Sequence, residues 1–258
     1  MAKILFKKEK KEFVKDLNKE ITLSRQRFFY VFDTDKEFIT EDGKIDKKDL
    51  KKKDGSTIKT NKDKEFIIFS TTFIDDFKRI KRKAQIITPK DIGIIIAETG
   101  INNKSKVVDA GTGSGALACY LAHICKEVTS YDIRDDSIET AKENKKFLDL
   151  KNLKIKKKSI FKGIDEKELD LIVLDIPDPW NAIKSCEKSL KIAGYLVVYL
   201  PSVSQISDFV NEIKKYNGFV YLKTTELIER HWKIDGRISR PKSGALGHTG
   251  FLSFVRRI

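Results

Sequence analysis

The sequence predicts an α/β protein in which a small, mostly β N-terminal domain precedes a larger domain built on a mostly parallel sheet. From about residue 88, apolar strands alternate with helical segments, which is the pattern of βαβ units. Before that point, short β-rich pieces alternate with turn signals. The 258 residues are 40% hydrophobic, so both domains have enough apolar side chains to form a core. We place the boundary between domains 1–80 and 81–258.

In the N-terminal domain, strands are predicted at Phe28–Phe32 and Glu65–Ser70, and turns at 41–43 and 53–55. In the larger domain, five apolar segments are predicted strands: Lys106–Ala110, Val128–Asp132, Leu153–Ile160, Asp170–Asp175 and Tyr195–Leu200. The helices between and after them are predicted at Leu117–Ile124, Ser137–Leu150, Asn181–Leu190 and Ser204–Tyr216. Two more strands, Phe219–Ile228 and Gly250–Val255, lack a long helix between them and should be antiparallel, which brings the sheet to seven strands.

Composition limits the function only loosely. The formal net charge of +14 favours a polyanionic partner such as nucleic acid or a membrane surface, although a lysine-rich proteome would give the same excess. Three cysteines without a CxxC pair and only three histidines argue against a metal site, so none is predicted. No apolar stretch reaches 18 residues and the N-terminus lacks a secretory h-region, so we expect a cytoplasmic protein without a membrane span.

A glycine loop, Gly111-Thr112-Gly113-Ser114-Gly115, connects the first parallel strand to its helix. Gly111 should allow the tight turn, Gly113 a close approach of ligand to backbone, and Gly115 close packing between helix and strand. Alone, the loop could be only a turn. However, Asp132 ends the next strand 21 residues after Gly111, and an acid at that spacing can accept hydrogen bonds from ribose hydroxyls. The combination predicts a nucleoside-containing cofactor.

The stretch LDIPDPWN, residues 174–181, places two carboxylates, two prolines and a tryptophan at the end of a buried strand. Prolines stop the strand ladder, and a buried carboxylate without a partner is costly. This composition predicts a stiff loop that presents an acid at the carboxyl edge of the sheet.

Four segments together resemble one family. The glycine loop with its preceding Asp109 is similar to the first motif of Rossmann-like class I S-adenosylmethionine-dependent methyltransferases. With QIITPKD (85–91), LDIPDPW and RPKSGALGHTGFLSFVRR (240–257), the chain resembles archaeal tRNA (adenine-N1)-methyltransferases, which modify T-loop adenine 58 and also 57. The resemblance implies S-adenosylmethionine as cofactor, tRNA as partner, a homotetramer and a barrel-like N-terminal domain.

The resemblance also implies roles for individual residues. Asp175 would be the catalytic carboxylate, accepting a hydrogen bond from the adenine amino group as positive charge develops on the ring. Cofactor contacts are implied at Gln85, Gly111, Thr112, Gly113, Ser114, Gly115, Ala116, Leu117, Asp132, Ser137, Ser159, Ile160 and Asp175. Substrate contacts are implied at Thr88, Pro177, Trp180, Arg240 and His248.

Several of these residues have a second, structural interpretation. Trp180 could stack on a base or fill space behind its loop, and Asp178 could cap a helix. His248 could contact the target base or donate to a backbone carbonyl, and Ser137 could cap its helix. Ser159 stands where the family places an acid near the cofactor adenine, and Thr88 where it places a ring.

Basic residues offer further candidates for phosphate contact. The lysines at 151–158 could contact phosphates or simply protect an edge strand from pairing. Others that could contact phosphates are Arg79, Lys81, Arg82, Lys83, Arg237 and Arg240.

Three other functions compete. DPW resembles the motif of enzymes that methylate exocyclic amines, with one proline displaced. A non-catalytic tRNA-binding subunit would keep the fold, but such a subunit typically loses the glycine loop that this chain retains. A protein carboxyl methyltransferase has a similar fold but does not account for DxPxPW and GHTGF.

Overall fold

The computed structural model describes residues 2–83, 85–244 and 247–258. It divides into two compact units, Met1–Arg79 and Ile80–Ile258. The boundary predicted from the sequence, between residues 80 and 81, lies one residue from this division. Each unit has its own sheet and its own core, so each is described separately.

The N-terminal unit is an antiparallel β structure. A four-stranded sheet has the order β4-β1-β8-β7, and two hairpins, β2–β3 and β5–β6, accompany it. Leu5, Val31, Phe66 and Ile68 are buried in its core. The predicted small β domain is confirmed; its closure into a barrel stays a prediction. Its elements are β1 (Lys3–Lys7), β2 (Lys10–Val14), β3 (Lys19–Ser24), β4 (Arg27–Val31), β5 (Phe38–Thr40), β6 (Gly43–Ile45), β7 (Thr57–Lys59), β8 (Glu65–Ser70) and the short helix α1 (Phe73–Phe77).

The C-terminal unit has a seven-stranded sheet with the order β11-β10-β9-β12-β13-β17-β14. Strands β9 to β13 are parallel, while β17 runs antiparallel to both of its neighbours, as predicted for the last pair. The predicted fold class is therefore confirmed. The elements are α2 (Pro89–Thr99), β9 (Lys106–Ala110), α3 (Ala116–Ile124), β10 (Glu127–Asp132), α4 (Asp135–Phe147), β11 (Leu153–Lys157), β12 (Leu169–Leu174), α5 (Ile183–Glu187), β13 (Leu190–Leu200), α6 (Val203–Ile213), β14 (Phe219–Glu226), β15 (Trp232–Asp235), β16 (Ile238–Pro241) and β17 (Phe251–Arg257).

The strand order creates a topological switch point beside β9. The chain moves from β9 to β10 and β11 on one side, and later to β12 and β13 on the other. In open α/β sheets, the crevice outside the carboxyl ends of strands at such a point binds ligands. Here the ends of β9, β10 and β12 meet, because Ala110 is in register with Tyr131 and with Leu174.

Several elements of the C-terminal unit differ from the sequence prediction. The third parallel strand ends at Lys157, and Ile160 begins a 3-10 turn instead. The predicted helix Asn181–Leu190 is shorter, because Leu190 already belongs to the long strand β13. Helix α2 was not predicted, although Thr88 at its N-cap, Pro89 at its first position and Gly100 in the left-handed conformation at its end signal one. The hairpin β15–β16 was also not predicted.

The lysine-rich strand β11 lies at the edge of the sheet, the position in which lysines discourage pairing with other chains. Its lysines are largely neutralised within the chain. Such exposed pairs contribute little to stability, but they reduce the net charge available to a polyanion. The pairs are Lys151 with Asp149, Lys154 with Glu127, Lys156 with Asp165 and Glu166, Lys157 with Asp135, and Lys158 with Asp165.

Across residues 2–83, 85–244 and 247–258, no helix has both the length and the apolar character needed to cross a bilayer.

Candidate active site

A cavity of about 520 Å³ opens at the carboxyl ends of β9, β10 and β12. Five segments contribute to its wall: 85–87, the glycine loop with the start of α3, the end of β10, the turn after β11, and the loop after β12. These segments are far apart in sequence and meet because they all adjoin the same edge of the sheet. The cavity is therefore the binding crevice that the strand order predicts.

Gly111 lets the glycine loop contact the loop after β12. Its φ is +96°, and a Cβ at this position would overlap the carbonyl oxygen of Asp175. The Asp175 N–H donates to the Ala110 carbonyl over 2.8 Å, which joins the two strand ends. At Gly115, a Cβ would lie 2.9 Å from the Cβ of Ala141. The predicted role of Gly115 is thus corrected: it lets the start of α3 approach helix α4 rather than a strand.

Asp132 is held by backbone donors at the cavity wall. Its Oδ2 accepts from the Gly113 N–H over 2.9 Å. Its Oδ1 accepts from the N–H groups of Ile133 and Arg134, over 2.7 and 3.0 Å. A carboxylate has about four acceptor positions, so capacity remains for a ligand hydroxyl. The acid is therefore oriented before any ligand binds.

Asp109 is a buried carboxylate at the end of a hydroxyl chain. Ser130 Oγ donates to Asp109 Oδ2 over 2.6 Å, and Thr112 Oγ1 lies 2.6 Å from Ser130 Oγ. Asp109 Oδ1 and Ser114 Oγ are buried and have no hydrogen-bond partner within the described ranges. Both residues line the cavity. Buried polar atoms are nearly always paired in native proteins, so these two atoms indicate where a polar ligand completes the site.

Burial raises the pKa of Asp109 to about 7, against the lowering effect of the Ser130 hydrogen bond. The charges of Asp175 and Asp132 raise it further. Three carboxylates thus share one cavity. A cationic ligand would relieve their mutual repulsion and favour their ionised forms.

Asp175 follows the end of β12 and lines the cavity, as the LDIPDPWN pattern predicts. Burial raises its pKa to about 6. Within the described part of the chain, its side chain makes no hydrogen bond or ion pair. The Asp175 carboxylate is therefore a partly desolvated hydrogen-bond acceptor that has no partner among the described residues.

The residues after Asp175 separate into two groups. Ile176, Pro177 and Asp178 line the cavity. Asp178 stands at the N-cap position of a 3-10 turn, Pro179–Ala182, with φ of +53°, and its side chain makes no capping hydrogen bond. Trp180 packs against the core cluster of the unit, which agrees with its space-filling interpretation.

Two exposed apolar side chains in the wall were not predicted from the sequence. Ile133 and Phe161 line the cavity and are 65% and 46% exposed. Large apolar side chains this exposed on a cavity wall suit a flat ligand ring. Their positions gave a usable signal, because Ile133 directly follows Asp132 and Phe161 lies in the turn after β11.

Most of the predicted site residues meet in this wall. They are Gln85, Gly111, Thr112, Gly113, Ser114, Ala116, Leu117, Asp132, Ser159, Ile160, Asp175 and Pro177. Gly115 lies at the end of the glycine loop against Ala141 of α4, and Ser137 is buried in the first turn of the same helix. Thr88, Trp180, Arg240 and His248 do not line the wall. Thr88 stands at the N-cap position of α2 without a capping hydrogen bond from its side chain, and its Oγ1 donates to Asp91 Oδ2 over 2.9 Å. Arg240 is exposed on β16.

His248 makes the backbone contact that was one of its two interpretations. Its Nε2 lies 2.9 Å from the Pro201 carbonyl oxygen and its Nδ1 lies 2.5 Å from Glu226 Oε1. Both partners are acceptors and raise the pKa of His248, Glu226 more than Pro201. The imidazole therefore connects the chain just after β13 with the end of β14, three residues before β17 begins.

No cluster of three potential metal-binding side chains occurs among residues 2–83, 85–244 and 247–258.

The family model for the tRNA methyltransferase complex GCD14 subunit matches residues 77–238. The tRNA (adenine(57)-N(1)/adenine(58)-N(1))-methyltransferase TrmI of Methanocaldococcus jannaschii is 36% identical over 249 residues, which cover 85% of this chain and 87% of that protein. The chain belongs to the TrmI family of tRNA (adenine-N1)-methyltransferases. The tRNA (adenine(58)-N(1))-methyltransferase TrmI of Thermus thermophilus is 27% identical over 208 residues, covering 79% and 81% of the two chains.

Solved structures agree with this assignment at the level of the fold. The TrmI tRNA (m1A58) methyltransferase of Aquifex aeolicus has a TM-score of 0.77 at 24% identity, over 99% of this chain and 96% of that one. A Thermotoga maritima structure described as an S-adenosylmethionine-dependent O-methyltransferase has a TM-score of 0.81 at 26% identity, over 99% and 92%. The higher identity to the M. jannaschii enzyme and the family match place this chain with the TrmI enzymes. It is an enzyme that retains the methyltransferase glycine loop.

The buried Asp109 charge should make stability depend on pH. Because its folded pKa of about 7 exceeds the ordinary aspartate pKa of 3.8, its protonated form favours folding, and this contribution is lost as pH rises from 3.8 to about 7. Without cofactor, Asp109→Asn should therefore raise the urea midpoint at pH 8 and give no such gain at pH 4. Asp208→Asn, at an exposed position of α6, is the matched control. A loss of stability of equal size at both pH values would contradict this account.

Proposed function

We propose that the cavity binds S-adenosylmethionine, with the ribose hydroxyls on Asp132 and the amino-acid portion facing Asp109 and the glycine loop. The unpaired Asp109 Oδ1 and Ser114 Oγ support this orientation, because they can pair with an ammonium and a carboxylate. Ile133 and Phe161 would contact the adenine ring, with Ser159 and Ile160 beside it. The three carboxylates around the cavity suit a ligand that carries a sulfonium and an ammonium charge.

We propose that the chain methylates N1 of adenine in the tRNA T-loop, at position 58 and also at 57. The single observation that carries the proposal is the unpaired Asp175 carboxylate in the cofactor cavity, on a residue whose backbone carbonyl lies against Gly111. Bound S-adenosylmethionine would supply an electrophilic methyl group. The adenine N1 lone pair forms the new bond to carbon while the sulfur–carbon electron pair returns to sulfur, so no proton need leave first.

The role of Asp175 follows from where the charge goes. Methylation at N1 makes the adenine ring cationic, and the positive charge is shared with the exocyclic amino group. A preorganised carboxylate that accepts from N6–H stabilises this charge more in the transition state than in the ground state. Pro177 restricts the backbone of the loop after β12. The hydrogen bond from the Asp175 N–H to the Ala110 carbonyl fixes the position at which this loop leaves the sheet.

The remaining substrate contacts are proposed more generally. Arg240 on the exposed hairpin could contact phosphate, and Thr88 and His248 could act through the segments they hold. Trp180 would support the loop from the core side. Gln85 would lie between the cofactor and the target base.

We also propose that the protein works as a homotetramer in the cytoplasm, as its resemblance to archaeal relatives implies. The three cysteines are unpaired and buried, which suits a reducing compartment. Light scattering of the purified chain should give a mass near four times 29.6 kDa. A monomer at micromolar concentration would contradict the tetramer and leave the chemistry of the site untouched.

Asp132→Ala should weaken S-adenosylmethionine binding by about 1–3 kcal/mol, because ligand hydroxyls and backbone donors lose their common acceptor. Isothermal titration calorimetry measures this directly. Asp136→Ala, at an exposed position in the next helix, is the matched control and should bind like the wild type. Equal affinity in both variants would remove Asp132 from the cofactor site.

The proposed reaction is tested by incubating unmodified tRNA with labelled methyl donor and identifying the product nucleoside. N1-methyladenosine in the T-loop is expected. Under single-turnover conditions, the rate should rise with pH through about 6 as Asp175 ionises. Asp175→Asn keeps the size and an acceptor oxygen but loses the charge, so its rate should fall about 10²–10³-fold.

Asp178→Asn is the matched control, since Asp178 lines the same cavity three residues later. It should retain most of the rate. If Asp175→Asn reacts at the wild-type rate while Asp178→Asn is inactive, the second acid is the catalytic one. Methylation at N6 in the primary product would instead favour the exocyclic-amine enzymes.

A further inference from the structure

Asn144 is a buried side chain of α4 that joins two segments of the cofactor site. It is 1% exposed. Its Oδ1 accepts from the Lys81 N–H over 2.8 Å, and its Nδ2 donates to the Lys81 carbonyl over 2.9 Å. Nδ2 also donates to the Ser114 carbonyl in the glycine loop over 2.7 Å. Both amide hydrogens and the oxygen are therefore used, and the backbone at Lys81 is held in one position.

The segment that Asn144 holds at Lys81 carries more positive charge than its neighbouring acid neutralises. Lys81 pairs with Glu143 over 2.8 Å. Arg82 and Lys83 are exposed, and neither has an acidic partner within ion-pair distance in the described part of the chain. Lys83 contributes, after Lys81, to lowering the pKa of Glu143, which places it near that carboxylate. With Lys81, Arg82 and Lys83 beside the single carboxylate of Glu143, the segment keeps a net positive charge, in contrast to the paired lysines around β11.

This cationic segment lies next to the cavity. Gln85, two residues after Lys83, lines the cavity wall, and two residues of chain span at most about 7 Å. On α4, Lys142 and Lys146 are exposed one turn apart and also lack an ion pair among the described residues. A strand of RNA that delivers a base into the cavity must bring its own phosphates close to this opening.

We propose that Arg82 and Lys83, anchored through Asn144, form the phosphate-contact surface for the RNA strand that carries the target adenine. The inference rests on the proposed function and adds the surface that positions the substrate. Two features support it together. The segment carries three cations beside one carboxylate, and a buried, fully bonded amide holds the adjoining backbone of Lys81 close to the glycine loop. Ordering a flexible segment would otherwise oppose binding, so the anchor lowers the entropic cost of the contacts.

The test removes the two charges with Arg82→Ala/Lys83→Ala and measures the Kd for unmodified tRNA at several salt concentrations. The expected result is a Kd raised on the order of tenfold at 0.1 M salt. The slope of log affinity against log salt concentration should also become shallower by about two, one for each lost phosphate contact. The loss should fall on KM for tRNA more than on kcat. The matched control is Lys104→Ala/Lys126→Ala, which removes the same charge from exposed positions beside the amino ends of β9 and β10.

The anchor is tested by a double-mutant cycle with Asn144→Ala. In that background, removing Arg82 and Lys83 should raise the Kd for tRNA by a smaller factor, because the segment is no longer held in place. Equal factors in both backgrounds would overturn the role of Asn144. If Asn144→Ala fails to fold, the charge variants on the surface still decide the phosphate contact.

The outcomes separate this inference from the proposed function. If the wild type forms N1-methyladenosine but the Arg82/Lys83 variant binds tRNA like its control, the inference is overturned and the proposed function stands. If the wild type forms no N1-methyladenosine in tRNA, the proposed function itself fails.

Discussion

The approach of the glycine loop to the loop after β12 is the constraint on which the rest of the site depends. Two neighbouring parallel strands end side by side, and the chain leaving each one must turn without colliding with the other. Only a residue without a Cβ, in a left-handed conformation, fits at Gly111 against the carbonyl of Asp175. This single contact brings the cofactor loop and the proposed catalytic carboxylate into one cavity.

Electrostatics then give that cavity its character. Asp109, Asp132 and Asp175 lie around a partly desolvated space, and burial opposes the ionisation of Asp109 and Asp175. An arrangement that costs folding energy in the absence of ligand is well suited to a ligand that brings positive charge. The same arrangement leaves Asp175 free to respond to charge that appears on the second substrate. Cofactor binding and stabilisation of the charge on the substrate thus both depend on the negative potential of these carboxylates.

Outside the cavity, the distribution of positive charge matters more than its total. The net charge of +14 points to a polyanionic partner. However, the most conspicuous lysine run, on β11, is paired with acids on neighbouring elements. Few cations near the cavity lack an ion pair in the described part of the chain, and two of them, Arg82 and Lys83, directly follow the Lys81 backbone that the buried Asn144 holds. Pairing between elements, rather than the number of lysines, therefore selects the surface that a phosphate chain would contact.

The sequence by itself determined the fold class, the glycine loop with Asp132, and the acid at the end of the fourth parallel strand. These features depend on local periodicity and short spacings, which a single chain displays directly. Only the tertiary structure decided which residues meet: the overlap that requires glycine at 111, the unpaired oxygen of Asp109, the wall formed by Ile133 and Phe161, and the Asn144 anchor. It also showed that Trp180, Thr88 and His248 contact the core or neighbouring segments and do not line the cavity. The reason is physical, because these properties depend on contacts between segments tens of residues apart. Sequence spacing does not encode such contacts until the sheet brings its strand ends together.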